Sequence, residues 1–142
     1  MVNIHEKSAL DSVTIAAQAV VADGYLDFAT NSILDGCSIS HVAGSNTVSL
    51  LKRGLYQVSV NADIEPTAAG DISVQLVRNG VAIPGAIATV TGAAATTYNV
   101  AFTALVKVLP SCCVIDNTAN LQVQVTAAGT VTNAHIVAIK KA

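Results

Sequence analysis

The sequence predicts an all-β fold in which two antiparallel sheets close into a sandwich or jelly roll. Three observations point there. Apolar and polar residues alternate with period two in several segments, as in strands with one buried and one wetter face. Turn residues punctuate the chain every 8–12 residues or so, the spacing of short strands in all-β domains. No helical period is sustained over about ten residues anywhere.

The alternation is clearest between Gly54 and Gly85. From Gly54 to Asp63, Tyr56, Val58, Val60 and Ala62 share one side, with Gln57, Ser59, Asn61 and Asp63 opposite. From Asp71 to Arg78, Ile72, Val74 and Leu76 alternate with Ser73 and Gln75. Asn79-Gly80 follows, two residues that tolerate positive φ, so a tight type I′ hairpin turn is expected. Val81 to Val90 is interrupted by Pro84-Gly85, which assigns it to a sheet edge or a bulge.

Before this pair, residues 1 to about 20 fit neither period and read as an N-terminal arm, 1–19, ahead of a domain spanning 20–142. Val20 to Ala29 reads as a strand broken near Asp23-Gly24, Cys37 to Ala43 and Thr47 to Lys52 as short strands, and Asp35-Gly36 as a turn. After it, Tyr98 to Leu109 is the longest run. Tyr98, Val100, Phe102, Ala104, Val106 and Val108 lie on one face, and the other face, with Ala101 and Leu105, is partly apolar. Leu121, Val123 and Val125 alternate with glutamines. Val131 to Lys140 is apolar on both faces and is expected in the middle of a sheet.

The 142 residues make one domain, with or without an arm. Charged residues are 11%, against about 25% in an ordinary soluble domain. Hydrophobic residues are 52%, aromatics only 4%, and Trp is absent. A small chain so poor in charge is expected to bury apolar surface against copies of itself. Net charge is −2, and Lys140-Lys141 is the only basic doublet apart from Lys52-Arg53, so a direct nucleic-acid ligand is not expected. No stretch reaches the roughly 20 apolar residues of a membrane helix. The apolar run Val13 to Ala22 follows Glu6 and Asp11 rather than a basic cluster, unlike an export signal. A bacterial or phage product that is not secreted is expected.

Candidate chemistry is sparse. Cys37, Cys112 and Cys113 read first as small buried hydrophobes, with a disulfide from Cys37 to Cys112 or Cys113 as the alternative. Three cysteines and the scattered His5, His41 and His135 do not have zinc-site spacing. His41 and Cys37, four apart on a strand, would point the same way, but no acid completes a nucleophile–base–orienter set. Asp63, Glu65 and Asp71 flank one loop, as calcium ligands or, more simply, as turn-capping residues. No phosphate-binding glycine loop or hydrolase signature occurs, so no enzymatic activity, cofactor or metal is expected.

Taken together, Gly54-Leu55-Tyr56-Gln57-Val58-Ser59-Val60, Val74 to Gly80, Ile83-Pro84-Gly85-Ala86, Cys112-Cys113 with Asp116-Asn117, and the strand from Asn133 to Lys140 resemble the C1q/TNF-like jelly rolls. The likeness is to their bacterial and phage branch, which includes the C-terminal domains of collagen-like spore-surface proteins and phage head decoration or fibre proteins. It covers about Val20 to Ala142. It implies a ten-strand jelly roll assembled as a homotrimer, with Tyr56, Tyr98, Val100, Phe102, His135, Val137 and Ile139 expected at the trimer interface. His135, near a threefold axis, could meet its own copies; the simpler reading is a histidine satisfied by hydrogen bonds. No collagen repeat precedes the domain, which favours a virion protein over a spore-surface stalk. A capsid decoration protein is then expected, its arm anchored to the major capsid protein or another virion protein through Val2, Ile4, His5, Leu10, Val13 and Ile15. The alternative is a receptor- or glycan-binding tip using the loops Glu65 to Gly70, Gly92 to Thr97 and Pro110 to Asn120, none of which holds an aromatic for sugar stacking.

Overall fold

A computed structural model describes residues 7–109 and 118–142. Its strands are β1 (Ala9–Thr14), β2 (Gln18–Val20), β3 (Gly24–Tyr25), β4 (Thr30–Asp35), β5 (Ile39–Ser40) and β6 (Val48–Leu50) in the first third. The longer strands follow: β7 (Gly54–Pro66), β8 (Gly70–Arg78), β9 (Val81–Gly92), β10 (Tyr98–Val108), β11 (Ala119–Val125) and β12 (Gly129–Lys140). No helix occurs among the described residues. Twelve strands occur among the described residues against ten expected, and β2, β3 and β5 are pieces of only two or three residues.

Two antiparallel sheets face each other. One has the order β10-β7-β12-β1-β4, with β2 also on β12; the other has β5-β6-β11-β8-β9, with β3 on β11. The inward positions are those the alternation predicts. Tyr56, Val58, Val60, Ala62 and Ile64 of β7 meet Ile72, Val74 and Leu76 of β8 and Leu121, Val123 and Val125 of β11 in a single core. Phe28 and Leu26 fill it from the chain after β3. The core is almost wholly aliphatic, as the scarcity of aromatics requires.

The hairpin at Asn79-Gly80 has the expected geometry. Arg78 pairs with Val81 across a two-residue loop, and φ is +50° at Asn79 and +84° at Gly80. Pro84 falls in a bulge. Gln75 pairs with Ile87 and Val77 with Ala82, so Ile83 to Ala86 loop out opposite Leu76, on a strand that is indeed a sheet edge. β12, apolar on both sides, lies between β7 and β1 as expected.

The first third departs from expectation. The stretch assigned to an arm, 1–19, supplies β1 and part of β2 in its described portion. β1 is an interior strand, paired with β12 on one side and β4 on the other. Its inward residues are Leu10, Ser12 and Thr14. The two hydroxyls are satisfied inside: Ser12 donates to Thr30 O at 3.0 Å, and Thr14 donates to Asp27 O at 2.7 Å while accepting from Ala29 N at 2.8 Å. Hydrogen-bonded hydroxyls can face inward at little cost, and they erase the apolar period by which a strand is recognised. β4, at the open edge, is exposed at nearly every position and carries no period either. The strand expected from Val20 to Ala29 is broken where the sequence placed the break, with Asp23 at φ +62° between β2 and β3, but it is shorter than expected, because residues 26–29 are not strand.

Candidate functional site

The outer face of the β10-β7-β12-β1-β4 sheet holds most of the predicted interface residues that are not in the core. The register arranges it in rows. Ile33, Asp11, Val137, Ser59 and Thr103 lie side by side across the five strands. The next row is Asp35, Ala9, Ile139, Gln57 and Leu105, and on the other side runs Thr30, Val13, His135, Asn61 and Ala101. Ile33, Ile139 and Leu105 remain 48%, 38% and 62% exposed, and Val13 and Val137 are half-buried between them. A sheet packed on the core by one face ordinarily turns polar residues to water on the other. This one mixes aliphatic side chains with small hydroxyls and amides, and Asp11 near its centre is paired with a histidine. His135 Nε2 lies 2.6 Å from Asp11 Oδ1 across β12 and β1, each about one-third exposed.

The bulge in β12 sets this arrangement. The pairing with β7 shifts between Thr132 and His135, with Asn133 at φ +50°. One extra residue there puts His135, Val137 and Ile139 outward while Ala134, Ile136 and Ala138 stay in the core. Beyond the bulge, Asn133 donates to Asp63 Oδ2 at 3.2 Å, and Asn99 donates to Asp63 Oδ1 at 2.8 Å and to Asn61 Oδ1 at 2.7 Å, closing the far end of the face with a polar network.

The residues expected at a trimer interface therefore divide. His135, Val137 and Ile139 lie together on the outer face. Tyr56 and Val100 do not: they point between the sheets at 0% and 5% exposure, and Tyr56 donates through its hydroxyl to Lys52 O at 2.6 Å. Tyr98 and Phe102, half-buried, belong to the same inward side of β10, Phe102 packed against the core and the Tyr98 hydroxyl accepting from Ala93 N at 2.8 Å. The large apolar residues of an alternating strand go to its core, so the face of β10 left for another molecule is the one with Ala101, Thr103 and Leu105. Leu105, Ile33 and Asp11 were not singled out from sequence. Leu105 was legible as the large aliphatic on the polar side of its run; Ile33 and Asp11 required the pairing of β1.

Of the expected anchoring residues, Leu10 is in the core at 1% exposure, Val13 is on the outer face, and Ile15 is 74% exposed just past β1. Val2, Ile4 and His5 lie outside the described residues. Cys37, expected to be buried, is exposed; Cys112 and Cys113 lie outside the described residues. His41 is buried, bonded to Asn31 Oδ1 at 2.5 Å and Ser45 O at 2.9 Å, and does not share a side with Cys37 because β5 spans only Ile39–Ser40. Asp71 accepts from Thr91 at 2.5 Å across the β8–β9 pair, and Asp63 belongs to the amide network, so these two carboxylates fasten strands. Among the described residues no cluster of histidine, cysteine and acidic side chains has metal-site geometry.

Neither a protein-family model nor a curated protein sequence matches the chain. Solved structures do match it in fold. Murine APRIL at pH 5.0 superposes with a TM-score of 0.73 at 9% identity, over 96% of this chain and 100% of that one. The globular domain of zebrafish complement 1qA gives 0.66 at 10% identity, over 93% of this chain and 94% of that one. PRD1 vertex protein P5 gives 0.59 at 12% identity, over 97% and 99%. The fold is a TNF/C1q-like jelly roll, as the sequence resemblance implied.

Proposed function

We propose that this TNF/C1q-like jelly roll is a non-enzymatic structural protein of a bacteriophage virion, a homotrimer that decorates the capsid. One observation carries the reading: the outer face of the β12 sheet presents Ile33, Ile139 and Leu105 to solvent beside Val13 and Val137, in a chain with few charges to keep such a face soluble. Three copies packed about an axis would cover it. Each Å² of apolar surface removed from water stabilises by about 25 cal/mol, so an interface of ordinary size is ample. The likeness in fold to a vertex protein of phage PRD1 supports a place on a particle. The protein is made in the bacterial cytoplasm and acts on the virion. Anchoring to the major capsid protein or another virion protein falls to the first residues, with Ile15 as the exposed apolar side chain nearest them among those described.

Sedimentation velocity of the purified chain tests the assembly. The expected species has about three times the 14.4 kDa chain mass. A monomer at micromolar concentration would overturn the reading. Binding to undecorated capsids, lost when residues 1–6 are removed, tests the anchor.

A second reading, a receptor- or glycan-binding tip, draws on the end of the molecule where the β7–β8 and β11–β12 loops meet. Thr67 N donates to Ala128 O at 3.1 Å there, beside a hollow of about 240 Å³ lined by Pro66 to Ile72 with Ala127 and Ala128. Adsorption to host cells by the isolated protein, without capsid, would favour it.

A further inference from the structure

The seven lysines and arginines are scattered along the chain, yet the fold brings them to one end. Ser8, next to Lys7, accepts from Lys140 N at 3.0 Å, Lys141 N donates to Leu55 O at 2.7 Å, and Lys52 O accepts from Tyr56. Arg78 reaches from the other sheet to Lys107 O at 2.7 Å, and Lys107 pairs with Leu55 beside Arg53. Asp23, Asp63, Glu65 and Asp71 lie at the opposite end, where β7 ends and β8 begins; of the described acids, Asp35 alone shares the basic end. The chain is thus polar in charge although its net charge is small.

At the basic end a cavity of about 550 Å³ opens beside Gly54. Arg53, Lys107 and Lys140 line it together with Gly54 and the backbone of Ala142, over a floor that includes Leu55 and Val108. None of the three cations makes an ion pair with a described residue. Gly54 is part of the shape: a Cβ there, at φ +151°, would run into Ala142 O and come within 2.8 Å of Lys140 Cε. The volume falls in the range of about 300–1,000 Å³ typical of small-molecule sites. Three like charges around one concavity repel each other, and their combined field draws anions into it. The walls have no aromatic ring, so a neutral sugar finds no stacking platform. Lysine ammonium groups and an arginine fork are the usual partners of phosphate oxygens.

We infer that this cavity binds a multiply charged phosphate group, held by Arg53, Lys107 and Lys140 over the aliphatic floor. The group can be carried on a soluble compound or on a lipid headgroup.

Calorimetric titration of the full chain with inorganic tripolyphosphate, in about 50 mM salt, tests the inference. Binding is expected with a Kd below about 1 mM. Raising the salt to about 200 mM should weaken it at least fivefold by screening. The double substitution K107Q/K140Q, at exposed and half-buried side chains, should weaken binding tenfold or more with the thermal midpoint unchanged. K7Q, at the same end but outside the cavity, should change it less than twofold. Co-sedimentation with phosphatidylglycerol vesicles, lost in K107Q/K140Q, would assign the phosphate to a lipid. Failure of both probes, or equal binding by the double variant, would overturn the site.

Discussion

Asn79 shows how much one residue carries in this fold. Its backbone takes the left-handed conformation of the β8–β9 turn, its N–H donates to Asn120 O at 2.9 Å, and its side-chain oxygen accepts from Asn120 N at 2.9 Å. The turn is thereby tied to the start of β11. Alanine loses both the tolerance of positive φ and the side-chain bond, and Asn79→Ala is expected to cost about 1–3 kcal/mol in urea denaturation. Tyr56 is a buried phenol whose only polar atom reaches Lys52 O, which holds the loop before β7 against the core. Tyr56→Phe should keep the packing and cost about 1–2 kcal/mol for the lost hydrogen bond. The His135–Asp11 pair is partly solvated, so Asp11→Asn should change chemical stability by no more than about 1 kcal/mol. A larger loss measured in the assembled protein would mean that the pair is covered by another molecule.

Among the elements, β7, β8, β10 and β11 were legible because each alternates cleanly between core and solvent. β12 was legible by the opposite sign, apolar on both sides, because it lies mid-sheet with one face on the core and the other on the outer apolar face. β1 was not legible. Two of its three inward residues are Ser12 and Thr14, whose partners belong to the chain between Asp27 and Thr30, and no local pattern announces that pairing. Its integral role can be measured. Leu10→Ala removes a fully buried side chain between the sheets and should destabilise the whole domain by about 2–5 kcal/mol in urea denaturation. A detachable arm would lose almost nothing.

For the whole molecule, the outer sheet face and the distribution of charge both arise from distant pairings. Leu105→Asp with Ile139→Asp places two carboxylates in one row of that face, on either side of Gln57, where water now solvates both positions. The monomer should fold normally, and self-association should weaken by about a hundredfold or more in sedimentation, because burying two unpaired charges is prohibitive. Candidate interface residues were read partly correctly for a related reason. His135, Val137 and Ile139 came from a strand apolar on both sides, whereas Tyr56 and Val100 came from strands with one large-apolar side, and that side had to be the core.

By itself the sequence determined the all-β class, the strands from Gly54 onward, the Asn79-Gly80 hairpin and the edge position of the Pro84 strand. These follow from local period and turn chemistry, which act over a few residues. The jelly-roll fold was legible in the order of several weak motifs. Only the tertiary structure decided that β1 is an interior strand, that Leu105 and Ile33 share a face with Ile139, and that cations from Lys7 to Lys141 gather at one end. Those outcomes depend on which strand lies beside which and in what register. Antiparallel pairing sets that between residues a hundred or more positions apart, beyond the reach of any local pattern.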